Sequence, residues 1–113
     1  METGDSRFQN LVQELRRGSL VLAVLHLSDA PSYGYALVER LKQAGIGAEK
    51  NTLYPLLRRL EQQGLMESSW DTGEARPRKY YRITDEGRET RQLLKEEWNE
   101  MSRSMDRILT EEE

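Results

Sequence analysis

The residues with the greatest chemical reach lie in Lys50-Asn51-Thr52-Leu53-Tyr54-Pro55-Leu56-Leu57-Arg58-Arg59-Leu60. Leu53, Leu56, Leu57 and Leu60 repeat at helical spacing and form one apolar stripe, which turns Arg58 and Arg59 toward solvent. The predicted helix begins with short polar side chains and longer donors, the set that reading a DNA major groove requires. Asn51 can pair with adenine, Lys50 can reach guanine or phosphate, and the hydroxyls of Thr52 and Tyr54 suit phosphate oxygens. Arg58, one turn on, is placed to reach the backbone. Each has a plainer alternative. Asn51 and Thr52 can cap the helix and do nothing else, and Tyr54 can pack in a three-helix core.

A second cationic group follows in Arg76-Pro77-Arg78-Lys79, three positive charges in four residues. Pro77 stiffens this arm and lowers the entropy lost when it is ordered on a partner. The alternative is a solvated hairpin. Tyr33 offers a further hydroxyl to phosphate, whereas packing suits Tyr35 better. A helix able to enter a groove, followed by a basic β-hairpin, is the plan of a winged-helix DNA-binding module.

Other chemistries lack their parts. The chain has no cysteine and one histidine, so neither thiol chemistry nor an imidazole-rich metal site within one chain is available. His26, alone on an apolar helix, reads as a packing residue. No paired carboxylates in an apolar setting, no glycine-rich phosphate loop and no nucleophile–base pair stand out. The expectation is a non-enzyme without metal or cofactor.

The elements that must position these residues follow from periodicity and punctuation. A first helix runs from Ser6 or Arg7 to Leu27, with Leu20 to Leu27 as its buried centre and Gly18 as a possible bend. Ser32 is a candidate cap for a second helix, Tyr33 to about Gln43, whose inner face is Tyr35 or Ala36, then Leu37, Val38 and Leu41. After the turn Ala44-Gly45-Ile46-Gly47, the third helix covers about Lys50 to Gln63, and Gly64 ends it. A short turn between two such helices is a helix-turn-helix. Leu65 to Trp70 and Arg78 to Ile83 read as strands around a tip at 71–75, with Tyr81 and Ile83 on one face. Thr84 caps a last helix, Asp85 to about Leu109.

The fold class is therefore α+β and mostly α, a winged helix-turn-helix over residues 1–83 with a long C-terminal helix over 84–113. The 113 residues suit a single small chain with a modest core (36% hydrophobic, 33% charged), which favours burying further apolar surface by dimerising. Formal net charge is −3, yet residues 50–82 sum to +3 and residues 84–113 to −5. Local sign governs phosphate attraction more than the total does. No N-terminal secretory pattern and no membrane-spanning run is seen, and a reducing cytoplasm is the expected compartment.

The last helix carries its own signal. Leu94, Trp98, Met101, Met105 and Ile108 are spaced four, three, four, three, an a/d heptad seam that needs a partner surface. That surface is either the first helix of the same chain or the helices of a second copy. Trp98 is plain seam core, or a face on which a planar apolar or cationic compound can stack.

Ser32-Tyr33-Gly34-Tyr35, then Thr52-Leu53-Tyr54-Pro55 with Arg58-Arg59-Leu60-Glu61 and Gly64-Leu65, then Arg76-Pro77-Arg78-Lys79-Tyr80-Tyr81-Arg82-Ile83-Thr84-Asp85-Glu86-Gly87, resemble PadR-type transcriptional regulators. Three blocks in order over roughly residues 15–98 are far more specific than one short motif. The single C-terminal helix resembles the compact branch of that family, which includes multidrug-sensing repressors. The resemblance implies a homodimeric repressor whose third helix enters the major groove of an inverted-repeat operator and whose wing touches the backbone or minor groove. It also implies a seat for flat aromatic ligands at Trp98, as in some compact relatives. Glu49 stands where the family usually has Ser or Asn, which leaves Asn51 as the candidate cap. The competing reading is a winged-helix module that docks on protein and lacks specific DNA binding.

Overall fold

Four leucines of one helix form the centre of the molecule. In the computed structural model, which describes residues 6–73 and 76–111, Leu53, Leu56, Leu57 and Leu60 are all buried. They lie on α3 (Lys50–Gln62), which follows α1 (Ser6–Leu27), a two-residue strand β1 (Ser32–Tyr33) and α2 (Gly34–Gln43). Two strands, β2 (Met66–Asp71) and β3 (Arg78–Ile83), and the long α4 (Asp85–Thr110) complete the chain. Leu20, Val24 and Leu25 of α1, Leu37 and Leu41 of α2, and Met66, Tyr81 and Ile83 of the sheet close around the α3 leucines. Of the expected tip 71–75, Glu74 and Ala75 lie outside the described residues.

Helix ends are set locally. After both α2 and α3 the chain turns through a glycine of positive φ, Gly45 (88°) and Gly64 (78°). The next amide reaches back to satisfy an orphan carbonyl: Ile46 N to Leu41 O and Leu65 N to Leu60 O, both 2.9 Å. This is the Schellman arrangement, and it needs a residue without a Cβ penalty in the left-handed region. Thr84 caps α4: its Oγ1 accepts from Gly87 N at 3.0 Å and donates to Gly64 O at 2.7 Å. One hydroxyl thus joins the start of α4 to the end of α3.

Three local expectations change. Ser32 does not cap α2; it lies in β1 and its hydroxyl donates to Ala30 O at 3.3 Å, while Tyr33 is the N-cap without a side-chain bond. Asn51 does not cap α3. The helix starts at Lys50, as expected, and its N-cap is Glu49, whose carbonyl accepts from Thr52 N and Leu53 N. Gly18 does not break α1 into separate helices; α1 runs on through it. Glycine costs ~1 kcal/mol against alanine in a helix, and the buried second half of α1 outweighs that.

β1 pairs with β3, and β3 with β2, all antiparallel, in the order β1-β3-β2. The alternation puts Met66, Ser68, Trp70, Lys79, Tyr81 and Ile83 on the face toward α3. Glu67, Ser69, Arg78, Tyr80 and Arg82 take the outer face, with Tyr33 of β1 opposite Tyr80.

α4 packs against α1 near its own start. Asp29, just after α1, accepts from Arg91 Nη1 at 3.1 Å and lies 3.6 Å from Arg88 Nε. The hydrogen bond from Arg91 and the charges of both guanidinium groups hold the Asp29 carboxyl below the usual carboxylate range. Beyond this root the helix is bare: Trp98 is 48% exposed, Met101 62%, Met105 50% and Ile108 63%. Among the described residues, no helix is long and apolar enough to cross a membrane.

Candidate nucleic-acid interface

The N-terminus of α3 is held out from the core by its own leucine stripe. Lys50, Asn51 and Thr52 precede the first buried leucine and are exposed, and Arg58 and Arg59 are exposed farther along. Pro55 lies inside the helix, so the carbonyl of Asn51 receives no bond from position 55. The cost is small because that first turn faces solvent.

Tyr54 is turned the other way. It is half-buried, and Gly34 lies against its ring: a Cβ at position 34 would come within 2.3 Å of Tyr54 Cε1. Glycine at 34 is what lets the start of α2 close over the α3 tyrosine. Packing accounts for the Tyr54 ring.

The tyrosines on either side of Gly34 form two cationic clusters. The Tyr33 ring meets Tyr80 edge-to-face, centroids 5.4 Å apart at 86°, and the Arg78 guanidinium sits 5.0 Å over Tyr33. Tyr35, expected in the core, is 53% exposed, and Lys50 Nζ lies 5.4 Å over its ring. Such contacts contribute about 0.5–1 kcal/mol at exposed sites and orient the cation. The buried face of α2 is Gly34, Leu37 and Leu41, and Tyr35 falls beside it, in line with the half-buried Val38.

The wing splits its charges by strand parity. Arg76 is exposed, and Arg78 and Arg82 belong to the outer face, where Arg82 Nε donates to Glu67 Oε1 at 3.1 Å. Lys79 points inward. Its ammonium is 3.6 Å from Glu61 Oε1 and 5.2 Å from the Tyr81 ring centroid. Lys79, expected on phosphate, is thus engaged within the protein. The signal was available: Lys79 shares parity with Tyr81 and Ile83, which already read as core-facing.

The seam residues Leu94, Trp98, Met101, Met105 and Ile108 share one face of α4, and Leu94 alone packs on the core. Trp98 lines a groove between α1 and α4 with Leu22, His26, Leu27, Arg91 and Lys95. His26 is exposed at its edge and does not pack in the core. Among the described residues no group of three or more His, Cys, Asp or Glu side chains could hold a metal.

Comparison with known proteins agrees with this geometry. Residues 21–93 match the model of the transcriptional regulator PadR-like family. The chain is similar to the transcriptional regulator Rv3488 of Mycobacterium tuberculosis, 36% identical over 90 residues, 75% of this chain and 84% of that protein. It is similar in structure to a PadR family transcriptional regulator from Eggerthella lenta, with TM-score 0.87 and 48% identity over 92% of this chain and 93% of that one. A PadR-like regulator from Bacillus cereus gives TM-score 0.77 and 29% identity, covering 88% and 99%. These relatives are regulators and not enzymes, and the basic helix and wing are the parts such a regulator needs. The chain belongs to the PadR-like family of transcriptional regulators.

Proposed function

We propose that the protein is a homodimeric repressor that binds an inverted-repeat operator. The observation that carries this reading is the pairing of two exposed surfaces in one small chain. One is the polar start of α3 with the basic wing; the other is an uncovered apolar seam on α4. Each large apolar side chain in that seam contributes ~1.5–3 kcal/mol when buried. A second copy supplies the same seam, together with exposed Leu11 and Leu15 of α1. Two-fold symmetry then presents two α3 helices to half-sites about one helical turn apart, near 34 Å.

Within this reading Lys50, Asn51 and Thr52 face base edges and nearby phosphates. Arg58 and Arg76 grip the backbone, and Arg78 and Tyr33 act together at the phosphates beside the wing. The mechanism is steric: a dimer on a promoter excludes polymerase. A small planar effector seated at Trp98 releases DNA only to the extent that it prefers the non-operator arrangement. The indole face of Trp98 suits a planar apolar or cationic compound.

The test is a footprint of the purified protein on the DNA upstream of its own gene, followed by a salt titration on the protected sequence and on random duplex. Specific binding predicts a protected, two-fold-related site and an affinity gap that persists as salt rises. Equal affinity for both at every salt concentration would refute the repressor reading and favour a winged-helix module for protein partners.

A further inference from the structure

Glu61 is a carboxylate placed between two elements that the proposed function brings to phosphate. It lies near the end of α3, half-buried, and both of its oxygens are used by the wing. Ser68 of β2 donates its hydroxyl to Oε2, and Lys79 of β3 sits 3.6 Å from Oε1. One side chain of the recognition helix therefore touches both strands of the hairpin. Its place along the wing gives this contact weight. The buried residues of the hairpin are Met66, Tyr81 and Ile83, all at or below the level of Ser68. The next inward pair, Trp70 opposite Lys79, has left the core, and Trp70 is 62% exposed. On the α3 side, the Glu61 junction is the outermost described polar contact before the hairpin projects into solvent.

An acid here opposes DNA binding by charge alone. It repels phosphate and occupies a lysine that would otherwise attract it. Glu61 and Lys79 side chains are 34% and 31% exposed, so the pair is only partly screened by water. What the arrangement supplies is direction. A hairpin pinned to α3 by both strands holds Arg76 and Arg78 at a fixed offset from Asn51 and Thr52, and less ordering is left for the moment of binding.

We propose that Glu61 is a positioning residue that aims the wing, acting through Ser68 and Lys79, and that Lys79 serves this junction and not a phosphate. The proposal rests on the DNA-binding reading and makes affinity for operator and for random duplex move in opposite directions. In Glu61→Ala the wing is released and the interface gains positive charge. Operator affinity falls about tenfold, while random-duplex affinity rises and its salt slope steepens by ~0.9 per freed Lys79. In Lys79→Met the methylene stem remains; operator affinity falls and the salt slope stays that of the wild type. In the double variant the steepened salt slope of Glu61→Ala is lost, because no lysine remains to be freed, and the two losses on operator do not add, because both substitutions break one junction.

An independent arm needs no DNA. In a Trp98→Phe background Trp70 is the only tryptophan, and it sits opposite Lys79 in the wing. Its fluorescence anisotropy should drop on adding Glu61→Ala while circular dichroism and oligomeric state stay unchanged. The proposal is overturned by any of three results: an unchanged Trp70 anisotropy, an equal loss on operator and random DNA in Glu61→Ala, or a salt slope reduced by about one per monomer in Lys79→Met, the mark of a phosphate contact. A wild type with no operator preference would instead remove the repressor reading, and the anisotropy arm would still decide whether Glu61 aims the wing.

Discussion

α3 and the second half of α4 carry the same kind of apolar stripe and meet opposite fates. Leu53, Leu57 and Leu60 of α3 are essentially inaccessible, with at most 1% exposure, whereas Trp98, Met101, Met105 and Ile108 of α4 remain about half open or more. Both stripes follow from three-and-four spacing, so periodicity alone does not say whether a stripe is covered from within the chain. The difference lies in what the topology brings near. α3 is wrapped by α1, α2 and the sheet, whereas α4 adds no hydrophobic side chain to that cluster after Leu94. A stripe satisfied within the chain stabilises the fold; one left open is free to stabilise the proposed dimer.

The largest effect separates the two directly. Leu57→Ala should cost about 2–5 kcal/mol of folding stability, the range for a buried leucine leaving a cavity. It should lower the melting temperature equally at all protein concentrations. The paired change Met105→Glu with Ile108→Glu should leave the fold of each chain intact, since both sites are exposed within it. It should weaken self-association by at least about 100-fold, about 2.7 kcal/mol, as read by sedimentation equilibrium. A wild type that sediments as a monomer at micromolar concentration would remove the contrast.

Smaller effects belong to the α3 surface. Asn51→Ala should leave stability unchanged, because the side chain caps nothing. It should lose about 1–3 kcal/mol of discrimination at particular base pairs if its contact is bidentate, measured by competition with single-substituted operators. Arg58→Ala should instead weaken all sequences alike and flatten the salt slope by ~0.9 per monomer.

The smallest effect concerns the root of α4. The Asp29 carboxyl has a depressed folded pKa, so its contribution is present above the ordinary carboxylate range and is lost as pH falls through the folded value. Asp29→Asn should therefore melt slightly below wild type at neutral pH, and the two curves should converge as pH falls below the ordinary carboxylate range. The site is open to solvent, so the gap at neutral pH should be small.

Most of the architecture was legible because its signals are local. The α3 stripe, the glycine after each of two helices and the Thr84 cap each act within a few residues. β1 was not legible. Two residues carry no alternation, and Ser32-Tyr33 is a strand only because β3 offers a free edge there. The candidate interface was legible in composition more than in direction. Counting charges between Arg76 and Arg82 treats four cations alike, whereas pairing with β2 turns Lys79 inward and Arg78 and Arg82 outward. Glu61 escaped notice for a related reason: its partners are seven and eighteen positions away, beyond any helical or strand period.

The rooting of α4 has a mechanical consequence. Thr84 joins it to the end of α3, and Asp29 clasps its first turns, so the helix is set into the body that carries α3. Its 26 residues make an arm about 39 Å long. A tilt of about 5° at the base of such an arm sweeps its far end through ~3.4 Å, close to the rise of one base pair. In the proposed dimer, a change at the seam too small to break any contact described above would offset the two reading heads by one rung of the duplex. The protein would then measure its operator as a caliper does, and an effector would need only to shift the gauge.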